Sequence, residues 1–434
     1  MTGSERDTIF ALSSAPGRAG IAVIRISGPN AGRAGKLLKG GLPKPRRAEL
    51  RTVLDYPSND RIDTAIILFF PSPHSFTGEN IIEIQCHGGR SVVDGILGVL
   101  GKIEGFRPAE PGEFTRRAVE HGRIDLTQAE AILDLVNAET LAQRRQALRQ
   151  QEGALSELYE KWRGRLIKAA AWLEASIDFP DEEIPDGAVE NARSELAAIH
   201  DEIDSHLSDG RRGEILRDGL HVAVIGAANA GKSSLVNALA QRDVAIVTDA
   251  PGTTRDVIDV RLDLKGFPVI LSDTAGLRRA ADAAEEEGVR RALERAENAD
   301  IRILVVDGTK PSMASMPSAE IVVYSKADLV GERMPGKWIS AKTGEGLDKL
   351  IDELTAMASR GLSGETPALT RARHRHALEQ AIAALKRALA NEQENSELIA
   401  EEVRLALRAL GRITGRVDLD ELLDVVFRDF CLGK

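Results

Sequence analysis

The rhythm of hydrophobic and polar positions changes three times along this chain. Residues 1–121 carry short β-type runs bounded by turn residues, Gly20–Ser27 (GIAVIRIS), Thr64–Phe70 (TAIILFF) and Asn80–Gln85 (NIIEIQ), and then a helical pattern over Ser91–Lys102. Those periods predict a small α+β domain. Over 122–216 the spacing turns helical: Leu126, Ala129, Ile132, Leu133 and Val136 share one face, as do Leu166, Ala169, Leu173 and Ile177. The second run is predicted to stop at Asp178-Phe179-Pro180, because proline lacks an N–H and clashes with the preceding turn. Over 217–360 buried-strand runs alternate with helices, which predicts a parallel α/β sheet. The runs are His221–Ile225, Val269–Leu271, Ile301–Val306 and Ile321–Tyr324. Past the polar stretch Gly361–Pro367 the helical texture resumes over 361–434, with Ala400, Val403, Leu407 and Leu410 on one face. Helices on both sides of an α/β block predict a discontinuous all-α domain with the α/β domain inserted into it, as is tolerated where a domain's termini lie close together.

Composition narrows the function classes. A chain of 434 residues is too long for one core, and 43% hydrophobic with 29% charged residues is the balance of a globular protein. Lys plus Arg (57) against Asp plus Glu (67) leaves a net charge of −10, which argues against gripping nucleic acid through the whole surface but allows a local basic patch. At 4% aromatic content, stacking platforms for single strands are scarce as well. The two cysteines, Cys86 and Cys431, cannot build a disulfide framework or a zinc site between them. Nothing reads as a secretory signal, and no stretch approaches the roughly 18 uninterrupted apolar residues of a membrane span. A cytoplasmic protein with no membrane or DNA role is expected.

The chemistry-bearing segment begins at Gly226, where Gly226-Ala227-Ala228-Asn229-Ala230-Gly231-Lys232-Ser233 fits G-x-x-x-x-G-K-[ST]. It follows the apolar run HVAVI and precedes the helical run Ser234–Ala240, the strand–loop–helix setting that such a phosphate loop requires. Glycines let backbone N–H groups wrap phosphates, Lys232 reaches the β- and γ-phosphates, and the Ser233 hydroxyl suits Mg²⁺. Asp273-Thr274-Ala275-Gly276 ends the next strand, where a carboxylate can hold Mg²⁺ through water and a glycine N–H can sense the γ-phosphate. Ser325-Lys326-Ala327-Asp328 ends another; the Asp328 carboxylate can accept two hydrogen bonds from guanine that adenine cannot supply. Ser340-Ala341-Lys342 offers backbone to the base. Four such elements, in order and at strand ends, identify a GTPase. Leu277 occupies the place where many GTPases carry the glutamine that orients the attacking water, so water activation comes from elsewhere. Asn229 and the stretch Thr248-Asp249-Ala250-Pro251-Gly252-Thr253-Thr254-Arg255-Asp256 offer oxygens for a monovalent cation; the alternative is that Asn229 only braces its loop.

Further motifs carry a resemblance. They are Asp7–Ile9 (DTI), Pro16–Arg18 (PGR), Arg25–Gly28 (RISG), Phe76–Glu79 (FTGE), His87–Gly89 (HGG) and Pro111–Thr115 (PGEFT). Leu126–Ile132 (LTQAEAI), Asp178–Glu183 (DFPDEE), Gly252–Asp256 (GTTRD) and the final Cys431-Leu432-Gly433-Lys434 complete the series. In this order the chain resembles, over essentially its full length, the MnmE (TrmE) family of tRNA-modifying GTPases within the TrmE-Era-EngA-like superfamily. The resemblance implies an N-terminal folate-binding-type domain that dimerises, a discontinuous helical domain and an inserted Ras-like G domain. It implies 5-formyltetrahydrofolate, or a related folate, held at the positions of Arg25, Glu83, Arg123 and Lys434; Arg123 stands where lysine is common. K⁺ would be held around Asn229, Thr248, Ala250 and Thr253, and Mg²⁺ by Ser233 and Thr254. Glu285 matches a glutamate that orients the catalytic water, although in Glu285-Glu286-Glu287 it also reads as a solvated helix start. Cys431 becomes a candidate thiol near the folate; taken alone it reads as part of a frayed tail. Cys86 reads as core and His87 as a turn residue.

The activity implied is a homodimeric, K⁺-stimulated GTPase that, with a flavoprotein partner (MnmG, or GidA), installs carboxymethylaminomethyl at carbon 5 of the tRNA wobble uridine. Two departures stand out. Ser325 replaces the asparagine of the usual N-K-x-D, so an amide that ties the base loop to the phosphate loop is expected to be missing. The connection Gly308–Glu320 is short and Pro/Ser-rich and is expected to lack a proper helix, and the next one, Leu329–Lys337, is trimmed as well. Other readings are a ribosome-assembly GTPase of the Era/Der type, which predicts a basic RNA-binding module such as a KH domain, and a folate-binding scaffold with a vestigial GTPase.

Overall fold

We describe a computed structural model of the chain. It covers all residues except 1–6, 57, 179–186, 209–210, 228, 243, 247–258, 274–298, 312–317, 363–368, 392–395, 418–422, 424–425, 428–429, 431–432 and 434, and the side chains of 188, 273 and 360–362. The chain is a multidomain α+β and α/β protein that forms two compact units, residues 1–133 with 410–434, and residues 134–409.

The first unit is built on a six-stranded sheet in the order β3-β4-β5-β2-β1-β6. Its strands are β1 (Thr8–Leu12), β2 (Ala19–Ser27), β3 (Glu49–Asp55), β4 (Asp60–Phe70), β5 (Ile81–Gly88) and β6 (Phe106–Pro108). Period-two alternation sorts β5: Ile82, Ile84 and Cys86 are buried against Val93, Ile96 and Leu100 of the helix Arg90–Leu100, while Glu83 and Gln85 face the other side. The runs at β2, β4 and β5 were legible in sequence. β1, β3 and β6 were not: β6 is three residues long and β3 buries only Val53. On the helical side Leu126 and Ala129 are buried as expected, but Val136 is 44% exposed.

A buried polar chain locks this unit. Ser27 Oγ donates to Glu79 (2.7 Å), Arg117 bridges Glu79 (3.1 Å) and Glu113 (2.9 Å), and Arg107 pairs with Glu113 (2.6 Å) and Asp7 (3.3 Å). Arg117 and Glu113 are both buried. Burial pushes the Glu113 carboxyl up, but hydrogen bonds from Arg107, the Glu110 N–H and Arg117 outweigh it and hold Glu113 below the usual glutamate range. The C-terminal segment belongs to the same unit. Leu423, Phe427 and Phe430 pack with Val119, Leu126 and Leu133, and a Cβ on Gly112 (φ +71°) would lie 2.8 Å from both Phe427 and Phe430. Ser13 Oγ donates to the Gly433 carbonyl at 2.8 Å.

In the second unit, helix Ala154–Asp178 buries Tyr159, Trp162, Leu166, Ala169 and Leu173 and packs on helix Ala188–Leu207. Helix Ala372–Ala390 joins the same layer from beyond the α/β block: Arg193 donates to the carbonyls of Leu389 and Asn391, both at 2.8 Å, where a cation favours a helix C-terminus. The α/β sheet has the order β12-β11-β10-β7-β9-β8. Its strands are β7 (Leu220–Ile225), β8 (Asp259–Leu264), β9 (Phe267–Asp273), β10 (Ile301–Asp307), β11 (Ile321–Ser325) and β12 (Lys337–Trp338). All pairings are parallel except β8–β9, a hairpin closed by Lys265 (φ +54°) and Gly266 (φ +95°). The fully parallel expectation is corrected there, because the alternation of Val260, Leu262 and Leu264 buries one face of an edge strand. Residues 330–336 contain no helix; of Gly308–Glu320, where a missing helix was expected, 312–317 lie outside the described residues.

Because Glu113 titrates lower in the folded protein, its stabilisation is present above the unfolded carboxyl pKa and is lost as pH falls through the folded value. Replacing Glu113 by Ala takes one of two carboxylate partners from the buried Arg117, leaving Glu79, and is expected to cost about 2 kcal/mol at pH 7. Urea titrations of the full chain at pH 7 and pH 4 should show wild type and Glu113→Ala converging at the lower pH.

Candidate functional site

The phosphate loop leaves β7 at the middle of the parallel sheet, between β10 and β9. Gly226 has φ +148°, and a Cβ there would sit 2.3 Å from the Val305 carbonyl oxygen of β10, so only glycine lets the chain turn against its neighbour. Asn229 (φ +61°) and Gly231 (φ +98°) are left-handed, and the helix Lys232–Ala240 begins without a side-chain cap. Its first N–H groups are thus available to an anion. Lys232 is buried, with Nζ donating to the carbonyls of Gly226 and Ala227 at 2.8 Å each, so its ammonium is held at the loop it is meant to serve. Ser233 and Ser234 are exposed on the first turn; hydroxyl oxygen is a hard ligand that suits Mg²⁺. Asp273 ends β9 in parallel register with Val224, beside the same strand end.

The base loop follows β11. Ser325 Oγ donates to the Ala230 carbonyl at 2.5 Å, with the Val306 carbonyl at 3.2 Å. The tie expected to be lost with the asparagine amide is therefore made by a hydroxyl, because the two loops are near enough for a short side chain: a Cβ on Gly231 would touch Ser325 Cβ at 3.4 Å. Lys326 (φ +59°) pairs with Asp307 at 2.6 Å. Burial raises the Asp307 carboxyl, yet bonds from Lys326 and Thr309 overcome it and bring it down to about 2. The Ala327 N–H donates to the Ile339 carbonyl (3.1 Å), and the buried Ser340 hydroxyl donates to Asp328 Oδ1 at 2.7 Å. That bond holds Asp328 below the usual aspartate range, an ionised acceptor at neutral pH. Ala341 and the exposed Lys342 follow in the adjoining turn. The structure thus brings together Asn229, Ala230, Gly231, Lys232 and Ser233 with Ser325, Lys326, Ala327, Asp328 and Ser340.

On the N-terminal sheet, Arg25 and Glu83 are direct cross-strand neighbours, with Arg25 Nε and one terminal nitrogen at 3.0 and 2.8 Å from Glu83 Oε1. The Arg25 guanidinium lies 5.9 and 5.8 Å from the Phe76 and Phe114 ring centres. The exposed Arg123 runs its stem past Gly78, whose Cβ position is 3.4 Å from Arg123 Cγ and Cδ. Cys86 is core, its thiol pushed up by burial. His87 ends a strand rather than forming a turn, with Nδ1 2.8 Å from Asp63. No group of three or more potential metal ligands of the His/Cys/Asp/Glu type occurs among the described residues.

Several expected site residues lie outside the described residues: Thr248, Asp249, Ala250, Pro251, Gly252, Thr253, Thr254, Thr274, Ala275, Gly276, Leu277, Glu285, Cys431 and Lys434, together with the Asp273 side chain. Conversely, Glu79 and Glu113, quoted in sequence only as parts of FTGE and PGEFT, anchor the buried ion network, and Gly433 is buried against the end of β1 instead of fraying. A buried salt link leaves no periodic trace in one sequence, so only their place in motifs pointed to them.

Comparison with known proteins agrees with this geometry. The MnmE helical domain profile matches residues 126–431, and that of the GTP-binding protein TrmE N-terminus matches residues 8–123. The chain is similar to the tRNA modification GTPase MnmE of Parvibaculum lavamentivorans, 53% identical over 99% of this chain and 100% of that one. It is also similar to the protein of that name from Rhodospirillum rubrum, 51% identical over 99% of each. The mitochondrial 5-taurinomethyluridine-[tRNA] synthase subunit GTPB3 of Danio rerio is 44% identical over 99% of this chain and 93% of its own length.

Removing the Ser325 hydroxyl leaves the Ala230 carbonyl without that donor, a loss of about 1–3 kcal/mol. Ser325→Ala is therefore expected to bind a fluorescent GDP analogue about tenfold more weakly; unchanged affinity would mean that the tie is idle.

Proposed function

The chain belongs to the MnmE family of tRNA modification GTPases, and from that membership we propose a homodimeric, K⁺-stimulated GTPase that helps install carboxymethylaminomethyl on the tRNA wobble uridine. A flavoprotein partner of the MnmG (GidA) type and a formyl- or methylene-tetrahydrofolate donor complete the reaction. The proposal divides the chain into a folate-binding and dimerisation domain (1–121), a helical domain (122–216 and 361–434) and a G domain (217–360), and puts the protein in the cytoplasm.

The observation that carries the GTPase reading is the Ser325–Ala230 bond, which sets the base-reading Asp328 and the phosphate-reading Lys232 on two loops fastened to each other. Lys232, already aimed at its loop, places positive charge on the β- and γ-phosphates. Ser233 and Thr254 hold Mg²⁺, and Asp273 backs them. Asn229, whose left-handed backbone leaves it exposed on the loop, holds K⁺ with Thr248, Ala250 and Thr253; all are hard oxygen donors. A bound cation there supplies charge against the phosphates, as an arginine finger does. Leu277 cannot orient water, so Glu285 takes that role.

For the one-carbon unit, Arg25, Glu83, Arg123 and Lys434 bind the folate. The partly exposed Phe76 ring beside Arg25 supports a flat ligand there. The Ser13–Gly433 bond supports a role for the tail, since it holds Gly433, two residues past Cys431, in the same unit. A net charge of −10 supports a partner that supplies much of the tRNA grip.

Exchanging K⁺ for Na⁺ in a phosphate-release assay is expected to leave GTP binding intact and to slow turnover severely. Equal rates in the two salts would remove K⁺ from the account.

A further inference from the structure

We propose that Arg333 is a specificity-determining positioning residue, which closes a ring of contacts around Asp328 and holds that carboxylate in the guanine-reading position. The inference rests on the reading of Asp328 as the guanine-binding carboxylate. Arg333 sits in the helix-free stretch 330–336 that follows the base loop and leads into β12, a stretch that carries no nucleotide motif.

The ring can be followed bond by bond. One terminal nitrogen of Arg333 donates to the Ala327 carbonyl at 2.8 Å. The same guanidinium pairs with both oxygens of Glu345, at 2.5 and 3.2 Å. The Glu345 carbonyl accepts the Ser340 N–H at 3.0 Å, and the Ser340 hydroxyl donates to Asp328 Oδ1 at 2.7 Å. Asp328 is bonded covalently to Ala327, and the circuit is complete. Arg333 also lies 5.7 Å from the Trp338 ring centre. That ring is stacked on Tyr324 at 5.1 Å and donates its N–H to the Met334 carbonyl at 2.9 Å, so the platform under Arg333 is itself anchored.

The chemistry explains why an arginine belongs there. A serine hydroxyl has one proton to give, whereas the amide of an asparagine has two. At Ser325 the short bond goes to Ala230, which fastens the β11 end of the base loop to the phosphate loop. The Asp328 end needs a separate anchor. Arginine offers five donors in a rigid fork and can hold a carbonyl, a carboxylate and an aromatic face together; a lysine cannot. As an isolated surface pair Arg333–Glu345 would contribute little, since the two side chains are 32% and 46% exposed. The consequence lies in where the contacts lead, to the two loops that frame the base.

The test uses the full chain and titrates GDP and inosine diphosphate, which lacks the 2-amino group that a correctly placed carboxylate reads. Arg333→Ala is expected to raise the GDP Kd about fivefold and to move the inosine diphosphate Kd less, so the preference for guanine falls. Arg333→Lys should behave like Arg333→Ala, Glu345→Gln should fall between them and wild type, and KM for GTP should rise with kcat unchanged. Equal weakening of both nucleotides, or no change in either, would overturn the role of Arg333. A wild-type protein that does not prefer GDP to inosine diphosphate would overturn the reading of Asp328 itself and this inference with it.

Discussion

A nucleotide site of this type needs two loops, separated by a long stretch of chain, to hold a fixed spacing, one reading phosphates and the other the base. Here the spacing depends on one hydroxyl proton, given by Ser325 at the end of β11 to the Ala230 carbonyl after β7. β10 lies between those strands, and its Val305 carbonyl presses so closely on Gly226 that no side chain fits. Close contact with β10 and a hydrogen bond from β11 beyond it give the phosphate loop its place; Lys232 and the uncapped helix start follow from it.

The parts of this arrangement that repeat were legible in the sequence. The buried runs at Ile301–Val306 and Ile321–Tyr324 became strands with one residue added to each, and Lys232 and Asp328 stand on the loops that the motifs implied. What one sequence could not show was the compensation. Ser325 suggested a missing amide, because a motif states which side chain is absent and not how near the acceptor comes. Strand β8 has no continuous apolar run of the kind that marks β10 and β11; its Val260, Leu262 and Leu264 alternate with Arg261 and Asp263, the pattern of an edge strand with one buried face. β6, at three residues, is below the length at which a period can be read.

The N-terminal unit shows the same limit. Asp7, Glu79 and Glu113 stood in sequence as fingerprints; in space they share the cations Arg107 and Arg117, and Ser27 closes one end of the chain of bonds. The last residues are drawn into this unit as well, with Phe427 and Phe430 over Gly112 and Gly433 against β1. Of the tail that reads as frayed, Gly433 is buried in this unit, to which the expected folate residues Arg25 and Glu83 also belong. The net charge of −10 fits the proposal that a partner carries much of the contact with tRNA.

The central claim, that nucleotide hydrolysis in this chain serves wobble-uridine modification, is tested most directly by mass analysis of tRNA nucleosides. Cells lacking the protein, complemented with wild type or with Lys232→Ala, supply the samples. The account predicts that wild type restores carboxymethylaminomethyl-uridine and Lys232→Ala does not. Full modification in the uncomplemented cells, or in those carrying Lys232→Ala, would contradict it.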